Sequence, residues 1–146
     1  MKNEKRDSFF SMYMYNKFCF IMKTTLLIPT LNEITGMKTI MPKVSKDWCD
    51  QILIVDGQST DGTIEYARQM GYELIVQKKK GMRHAYMEAL PHVRGDVILT
   101  FSPDGNSIPD LIPQCLAKIR EGYDMVIVSR YKAGAKSYDD DAVTGF

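Results

Sequence analysis

The feature that most constrains this chain is a regular alternation of short apolar runs with segments of helical periodicity. Apolar runs of strand length lie at residues 24–28, 51–55, 72–76, 96–101 and 124–129, and they predict five strands. Between them, apolar residues recur at the spacing of an amphipathic helix. Strands that alternate with helices form βαβ units. The pattern therefore predicts an α/β fold, a three-layer sandwich whose central sheet is mostly parallel.

Single residues predict where the first two helices begin and end. Asn32 is a favourable N-cap for the first helix, and Pro42 is expected to end or kink it. Ser59, Thr60 and Asp61 offer caps for the second helix, which Gly71 is expected to end.

Composition sets the class of protein. The chain has 146 residues, of which 45% are hydrophobic and 25% charged, as in one soluble globular domain. The net charge of +1 supplies no basic field, so nucleic acid is not an expected partner. The cysteines Cys19, Cys49 and Cys115 are far apart and show no metal-ligand spacing. Their number and spacing favour a reducing, cytoplasmic setting.

The first 21 residues differ from the rest of the chain. Lys2, Lys5 and Arg6 precede an aromatic, Met-rich stretch that is too short and too polar for a membrane span. No small-residue cleavage site follows it, as a signal peptide would require. We interpret residues 1–21 as an N-terminal extension, either weakly ordered or upstream of a natural start at Met22, and residues 22–146 as the domain.

Polar clusters follow three of the predicted strands. They comprise residues 29–33 (Pro-Thr-Leu-Asn-Glu), 56–62 (Asp-Gly-Gln-Ser-Thr-Asp-Gly) and 102–104 (Ser-Pro-Asp). Ligands of open α/β sheets bind at the carboxyl ends of the strands, where the strand order reverses. If the order is 3-2-1-4, the first and third clusters face each other across the crevice. We therefore expect one site at this edge.

The chemistry of these clusters restricts the ligand. The glycine-rich loops of dinucleotide-binding and Walker A sites are absent. Carboxylate and amide groups can instead hydrogen-bond a nucleobase and ribose, and Asp104 can hold a hard cation such as Mg²⁺ on a diphosphate. In isolation, however, Asp104-Gly105-Asn106 is also an ordinary turn sequence.

Four motifs in order carry a family resemblance: residues 29–33, 55–63, 102–104 and 128–131. Together they resemble the GT-A glycosyltransferases of family 2, near the dolichol-phosphate-mannose synthase-like branch. The resemblance covers residues 24–131 and implies a GT-A, Rossmann-like fold. It also implies an inverting, Mg²⁺- or Mn²⁺-assisted transfer of sugar from a UDP- or GDP-linked donor. The acceptor would be a lipid phosphate, a lipid or a glycan.

The resemblance also implies roles for particular residues. Asp104 corresponds to the last acid of the family's D-x-D and would be the metal ligand, whereas Ser102 replaces the first acid. Lys80 or Arg83 would supply positive charge where the family has Gly-Lys-Gly, and Arg130 matches a phosphate-binding arginine. The predicted nucleotide-binding residues are Pro29, Leu31, Asn32, Glu33, Asp56, Lys80, Arg83, Ser102, Asp104 and Arg130.

The catalytic base is not identified. Asp139, Asp140 and Asp141 are candidates, although three successive aspartates are also typical of a solvated loop. The family continues with acceptor-binding helices and often membrane segments, so the chain is expected to be incomplete at its C-terminus. Such segments would bring the protein to the cytoplasmic face of the membrane.

Two alternatives remain open at this stage. One is a catalytically inactive nucleotide-binding fragment, which the short chain and Ser102 favour. The other is a sugar-nucleotide pyrophosphorylase, whose glycine-rich first turn this chain lacks.

Overall fold

Alternating parallel strands and helices make up the part of the chain that the computed structural model describes, residues 22–129. The strands are β1 (Thr24–Thr30), β2 (Gln51–Asp56), β3 (Glu73–Val76) and β4 (Val97–Thr100). The helices are α1 (Ile34–Thr39), α2 (Thr63–Gln69), α3 (Met82–Ala89) and α4 (Leu111–Arg120), with short 3₁₀ turns at Met41–Lys43, Lys46–Trp48 and Leu90–His92. The first four predicted strands and all four predicted helices are thereby confirmed.

The strands form one parallel sheet in the order β3-β2-β1-β4. The chain moves outward from β1 to β2 and β3, and then returns to place β4 on the other side of β1. The order therefore reverses between β1 and β4, as the sequence argument assumed. This reversal opens a crevice at the carboxyl ends of these two strands.

Two apolar clusters cover the two faces of the sheet. On one face Leu26 and Ile28 of β1 pack with residues of α1, α2 and α4, including Met37 and Leu116. On the other face Leu27 packs with α3. Successive residues of a strand point to opposite faces, so both faces of β1 are buried. The predicted three-layer α/β arrangement is confirmed.

The amino end of the sheet has its own polar network. The Thr25 hydroxyl donates to Gln51 Oε1 at 2.7 Å, and the Gln51 amide donates to Glu73 at 2.9 Å. Arg94 pairs with Glu73, and its hydrogen bonds lower the pKa of that carboxyl group. Gly95 N–H donates to the Thr25 hydroxyl at 2.9 Å. This network lies at the edge of the sheet opposite the crevice.

The predicted fifth strand, residues 124–129, is wrong. The segment has no strand pairing and lies across an open cavity of about 960 Å³ from β4 and α4. Met125 is 73% exposed and Ile127 is 77% exposed. An apolar run becomes a strand only when a neighbouring strand accepts its backbone hydrogen bonds. Within residues 22–129, no strand occupies that position beside the segment.

Across residues 22–129, no helix is both long enough and apolar enough to cross a membrane. The predicted N-terminal extension, Arg130 and the aspartates at positions 139–141 lie outside the described residues.

Candidate functional site

A buried carboxylate joins the ends of β1 and β2. Asp56 is 0% exposed, and its Oδ2 accepts hydrogen bonds from the hydroxyls of Thr30 at 2.8 Å and Ser59 at 2.7 Å. Its Oδ1 accepts from the Ser59 N–H at 2.7 Å. A buried carboxylate requires such partners. In this arrangement Asp56 shapes the turn, and its predicted contact with a nucleobase stays a prediction.

Asn32 connects the turn after β1 to the turn after β2. Its N–H donates to the Ser59 hydroxyl at 2.8 Å, and its Oδ1 accepts from Thr60 N–H at 3.0 Å. Its φ of 57° is left-handed, a conformation that asparagine tolerates better than most residues. The predicted N-cap role is therefore wrong, because the side chain binds the other turn. The N-cap position of α1 is Glu33, which makes no side-chain cap.

Asp61 supplies the cap that α1 lacks. Its Oδ2 accepts from Ile34 N–H at 3.0 Å, and its Oδ1 accepts from Thr63 N–H at 3.0 Å. Glu33 N–H in turn donates to the Thr63 hydroxyl at 2.9 Å. Although desolvation acts to raise the pKa of Asp61, the hydrogen bonds from Thr63 and Ile34 prevail and lower it. One carboxylate thus accepts N–H groups from the first residues of α1 and α2. The N-cap position of α2 is Gly62 and not Ser59, Thr60 or Asp61, because the turn that brings Asp61 to both helices requires a left-handed residue after it.

Two glutamines that the sequence analysis did not single out organise the loop after β3. Gln58, with a φ of 69°, donates from Nε2 to the Gln77 carbonyl at 3.0 Å. Gln77 is buried, and its Nε2 donates to the carbonyls of Lys79 and Gly81, each at 3.0 Å. The only signal in the sequence was their position, since each follows a strand closely.

The loop after β3 carries the predicted phosphate-binding cations. Glu88 of α3 accepts the N–H groups of Lys78 at 2.8 Å and Lys79 at 3.2 Å, which holds the loop against the helix. Lys80 and Arg83 are both exposed. The structure therefore presents both cationic side chains to solvent near the carboxyl edge of the sheet.

The loop after β4 brings Asp104 to the crevice. Phe101 and Pro103 are buried, Ser102 is partly buried and Asp104 is exposed. Asp104 Oδ1 accepts from Asn106 N–H at 2.9 Å, so the turn predicted by this sequence is present. Burial of Pro103 anchors the loop, and the next residue carries its carboxylate outward.

Carboxylates of three loops influence one another here. Desolvation first, and then the charges of Asp104 and Asp61, raise the pKa of Glu33. The charges on the turn after β1 and on the loop after β4 therefore interact across the crevice. The region is acidic, so a bound cation would be electrostatically favourable here.

The donor groups fit a metal ion that is shared with a ligand. In the stretch from residue 22 to residue 129, no group of three or more His, Cys, Asp or Glu side chains is arranged to hold a metal. Mg²⁺ commonly takes one or two protein carboxylates and completes its shell with phosphate oxygens and water. Asp104 offers a hard oxygen donor of this kind.

All predicted nucleotide-binding residues within residues 22–129 lie near the carboxyl edge of the sheet. They are Pro29, Leu31, Asn32, Glu33, Asp56, Lys80, Arg83, Ser102 and Asp104. They differ in accessibility, because Leu31 is 53% exposed whereas Asp56 is fully buried. Hydrogen bonds connect the turns after β1, β2 and β3 at this edge.

Comparison with known proteins places this geometry in context. The family model described as Glycosyl transferase family 2 matches residues 25–145. A dolichol-phosphate mannosyltransferase of Pyrococcus furiosus is 29% identical over 79% of this chain and 35% of its own length. An undecaprenyl-phosphate 4-deoxy-4-formamido-L-arabinose transferase of Salmonella choleraesuis is 31% identical over 73% of this chain and 36% of its own length. The chain thus spans about a third of the length of these curated relatives.

A solved structure shows the same fold. Glucosyl-3-phosphoglycerate synthase from Mycobacterium tuberculosis, in complex with Mn²⁺ and UDP-glucose, superposes with a TM-score of 0.61 at 21% identity. The match covers 69% of this chain and 40% of the mycobacterial chain. This likeness confirms the predicted GT-A architecture.

Proposed function

The chain belongs to glycosyl transferase family 2, and we propose that it binds a nucleotide-sugar donor at the carboxyl edge of its sheet for sugar transfer. The observation that carries the proposal is the position of Asp104, which faces the turn after β1 where the strand order reverses. Ligands of open α/β sheets bind at such a reversal.

The donor would lie along the connected turns. The turn at residues 29–33 and the adjoining Asp56 would hold the nucleoside, and Lys80 and Arg83 are exposed where the phosphates would extend. A guanidinium group binds phosphate through paired hydrogen bonds. A uridine or guanosine diphosphate sugar fits this arrangement, and the mycobacterial structure contains UDP-glucose. Arg130, beyond the described residues, would join the phosphate contacts.

Asp104 would hold the divalent cation, Mg²⁺ or Mn²⁺. When bound, such an ion neutralises the charge that builds up on the departing nucleoside diphosphate. The mycobacterial structure contains Mn²⁺. Ser102 has a hydroxyl where the family has a carboxylate, so Asp104 is the single acid of this motif. The buried Pro103 anchors the loop that carries Asp104.

The acceptor would be a lipid phosphate. The names of both curated relatives contain a polyprenyl phosphate. An acceptor phosphate is already ionised near neutral pH, so it needs little general-base catalysis, unlike a hydroxyl acceptor. Its oxygen would attack the anomeric carbon as the bond to the nucleoside diphosphate breaks, which inverts the configuration. Such an acceptor would place the protein at the cytoplasmic face of a membrane.

Calorimetry with UDP and GDP, with and without Mn²⁺, tests nucleotide binding, and a donor-hydrolysis assay tests turnover. We expect one of the nucleotides to bind more tightly with Mn²⁺ and its sugar derivative to be consumed. Binding without turnover would favour the inactive nucleotide-binding fragment, for which the Ser102 replacement is the reason. Failure of both nucleotides to bind would overturn the proposal.

Asp104→Asn provides the sharper test. The substitution removes the charge that Mg²⁺ or Mn²⁺ requires while keeping an oxygen for the turn contact with Asn106. We expect the metal dependence of nucleotide binding to be lost and the melting temperature to change little. Asp110→Asn is the matched control, because Asp110 is exposed and makes no side-chain cap to α4. If Asp104→Asn keeps the same metal dependence of nucleotide binding as Asp110→Asn, Asp104 is not the metal ligand.

A further inference from the structure

Gly36 of α1 is in backbone contact with the loop that carries Asp104. A Cβ atom built on Gly36 would lie 1.7 Å from the Pro103 carbonyl oxygen and 2.8 Å from its carbonyl carbon. Real Cβ atoms essentially never approach another heavy atom within 3.0 Å. The Pro103 carbonyl group can therefore occupy this position only because residue 36 has no side chain.

Helix α1 cannot readily retreat from this contact. Its first turn is held by the hydrogen bonds from Glu33 N–H to Thr63 and from Ile34 N–H to Asp61. Met37, the residue after Gly36, is 0% exposed and packs in the core beside β1. A side chain at position 36 would therefore displace the opposite partner, which is the Pro103 backbone.

Pro103 transmits any such displacement to the site. Its side chain is fully buried and its ring fixes φ, so the loop has few alternative conformations. The next peptide unit belongs to Asp104, which is exposed and hydrogen-bonded only locally, to Asn106, among the contacts described for its side chain. The carboxylate position thus depends directly on the distance between α1 and the Pro103 carbonyl group.

We infer that Gly36 is a positioning residue for Asp104, which sets the distance between the metal-binding carboxylate and the nucleoside-binding turn. This inference rests on the proposed function, because the metal role of Asp104 belongs to that proposal. The residue acts by being small: the close approach of α1 to the loop after β4 holds both sides of the crevice in register.

The first test is Gly36→Ala, with Mn²⁺ titrated into protein saturated with whichever of UDP and GDP the unsubstituted protein binds. Displacement of the residue before a metal ligand is expected to lower Mn²⁺ affinity by about 10- to 100-fold, as loss of an outer-shell contact does. Nucleotide affinity without metal should change much less, since the contacts of Asp56 with Thr30 and Ser59 are untouched.

Gly95→Ala is the matched control. A Cβ atom on Gly95 would lie 2.5 Å from the Thr25 backbone nitrogen, so it also collides with backbone, but at the opposite end of the sheet. We expect it to lower the melting temperature and to leave Mn²⁺ affinity unchanged in the folded protein. If Gly95→Ala lowers Mn²⁺ affinity as much as Gly36→Ala does, general destabilisation is the cause and the inference fails.

Pro103→Ala decides the matter if Gly36→Ala does not fold. It adds no collision but releases the constraint on φ, so a loss of Mn²⁺ affinity is again expected. Unchanged affinity in every folded variant of this pair would overturn the inference.

A readout that needs no ligand separates this inference from the proposed function. In amide NMR spectra, Gly36→Ala should shift the resonances of Gly105 and Asn106, whereas Gly95→Ala should not. If the unsubstituted protein shows no metal-dependent nucleotide binding, the proposed function fails and the spectra still test the coupling. Unmoved Gly105 and Asn106 resonances in folded Gly36→Ala would show that α1 does not position the loop.

Discussion

At the scale of single residues, the site is built at a cost in electrostatic energy. Glu33 is partly desolvated and close enough to Asp104 and Asp61 for their charges to raise its pKa. No cation among residues 22–129 is described in an ion pair with these three side chains. Like charges held together destabilise the folded state, which is typical of sites shaped for a ligand rather than for stability.

Glu33→Gln should therefore stabilise the protein near neutral pH. Because the pKa of Glu33 is raised in the folded state, its contribution to stability is fully present below the unfolded pKa. That contribution is lost as the pH rises through the folded pKa. The variant should melt at a higher temperature than the unsubstituted protein near neutral pH, and the difference should vanish below the ordinary glutamate pKa.

Thermal unfolding of both proteins as a function of pH checks this expectation. Glu65→Gln, on the exposed side of α2, controls for the loss of a surface charge. A Glu33→Gln variant that melts below the unsubstituted protein near neutral pH would show that the Glu33 charge is compensated within the site.

At the scale of secondary-structure elements, α1 depends on its neighbours. It has six residues, and isolated helices of this length are not stable in water because nucleation is costly. Its N-cap residue provides no side-chain acceptor, and the Asp61 carboxylate takes over this role while also accepting the Thr63 N–H at the start of α2. The two helices therefore form at the carboxyl edge as a pair.

Asp61→Ala should destabilise the protein by about 1 kcal/mol or more, because the loss of an N-cap typically costs about 0.5–2 kcal/mol and Asp61 serves two helices. The stability of Asp61→Asn should lie between those of Asp61→Ala and the unsubstituted protein, since the amide has one acceptor oxygen where the carboxylate has two. Chemical denaturation of the three proteins provides the measurement. An Asp61→Ala variant as stable as the unsubstituted protein would show that solvent caps both helices equally well.

At the scale of the whole molecule, apolar side chains gather around the open edge of β4. Large apolar side chains that are exposed there include Ile98, Ile108, Met125, Ile127 and Val128. All five, with α4, line the cavity of about 960 Å³ beside that strand. Unpaired strand edges and contiguous apolar surface favour protein association. We therefore expect the described domain to self-associate through this edge.

Ile127→Lys should reduce the binding of a hydrophobic fluorescent dye and the light scattering of concentrated protein. Ile127 is 77% exposed, so the change in the free energy of unfolding should stay within about 0.5 kcal/mol. Met70→Lys is the control, because Met70 is 44% exposed and does not line the cavity. If both substitutions reduce dye binding and light scattering equally, the edge of β4 is not the surface through which the protein associates.

Much of the fold followed from local patterns. The apolar runs at residues 24–28 and 51–55 were readable as strands because a strand buried on both faces is apolar throughout. The segment at residues 124–129 has the same pattern but no partner strand among the described residues. The sequence of one segment does not show whether a second strand is available to pair with it. The cap of α1 was misassigned to Asn32 for a similar reason, since the true acceptor, Asp61, comes from another loop.

The sequence by itself determined the alternation of strands and helices, the family, and the placement of polar residues after the first, second and fourth strands. These properties depend on residue order, periodicity and short motifs, all of which are local along the chain. Only the tertiary structure decided that Asp56 is buried, that Asp61 accepts N–H groups at the start of two helices and that Gly36 lies against the Pro103 carbonyl group. Those features are contacts between segments far apart in sequence, and their distances exist only once the sheet brings its carboxyl ends together.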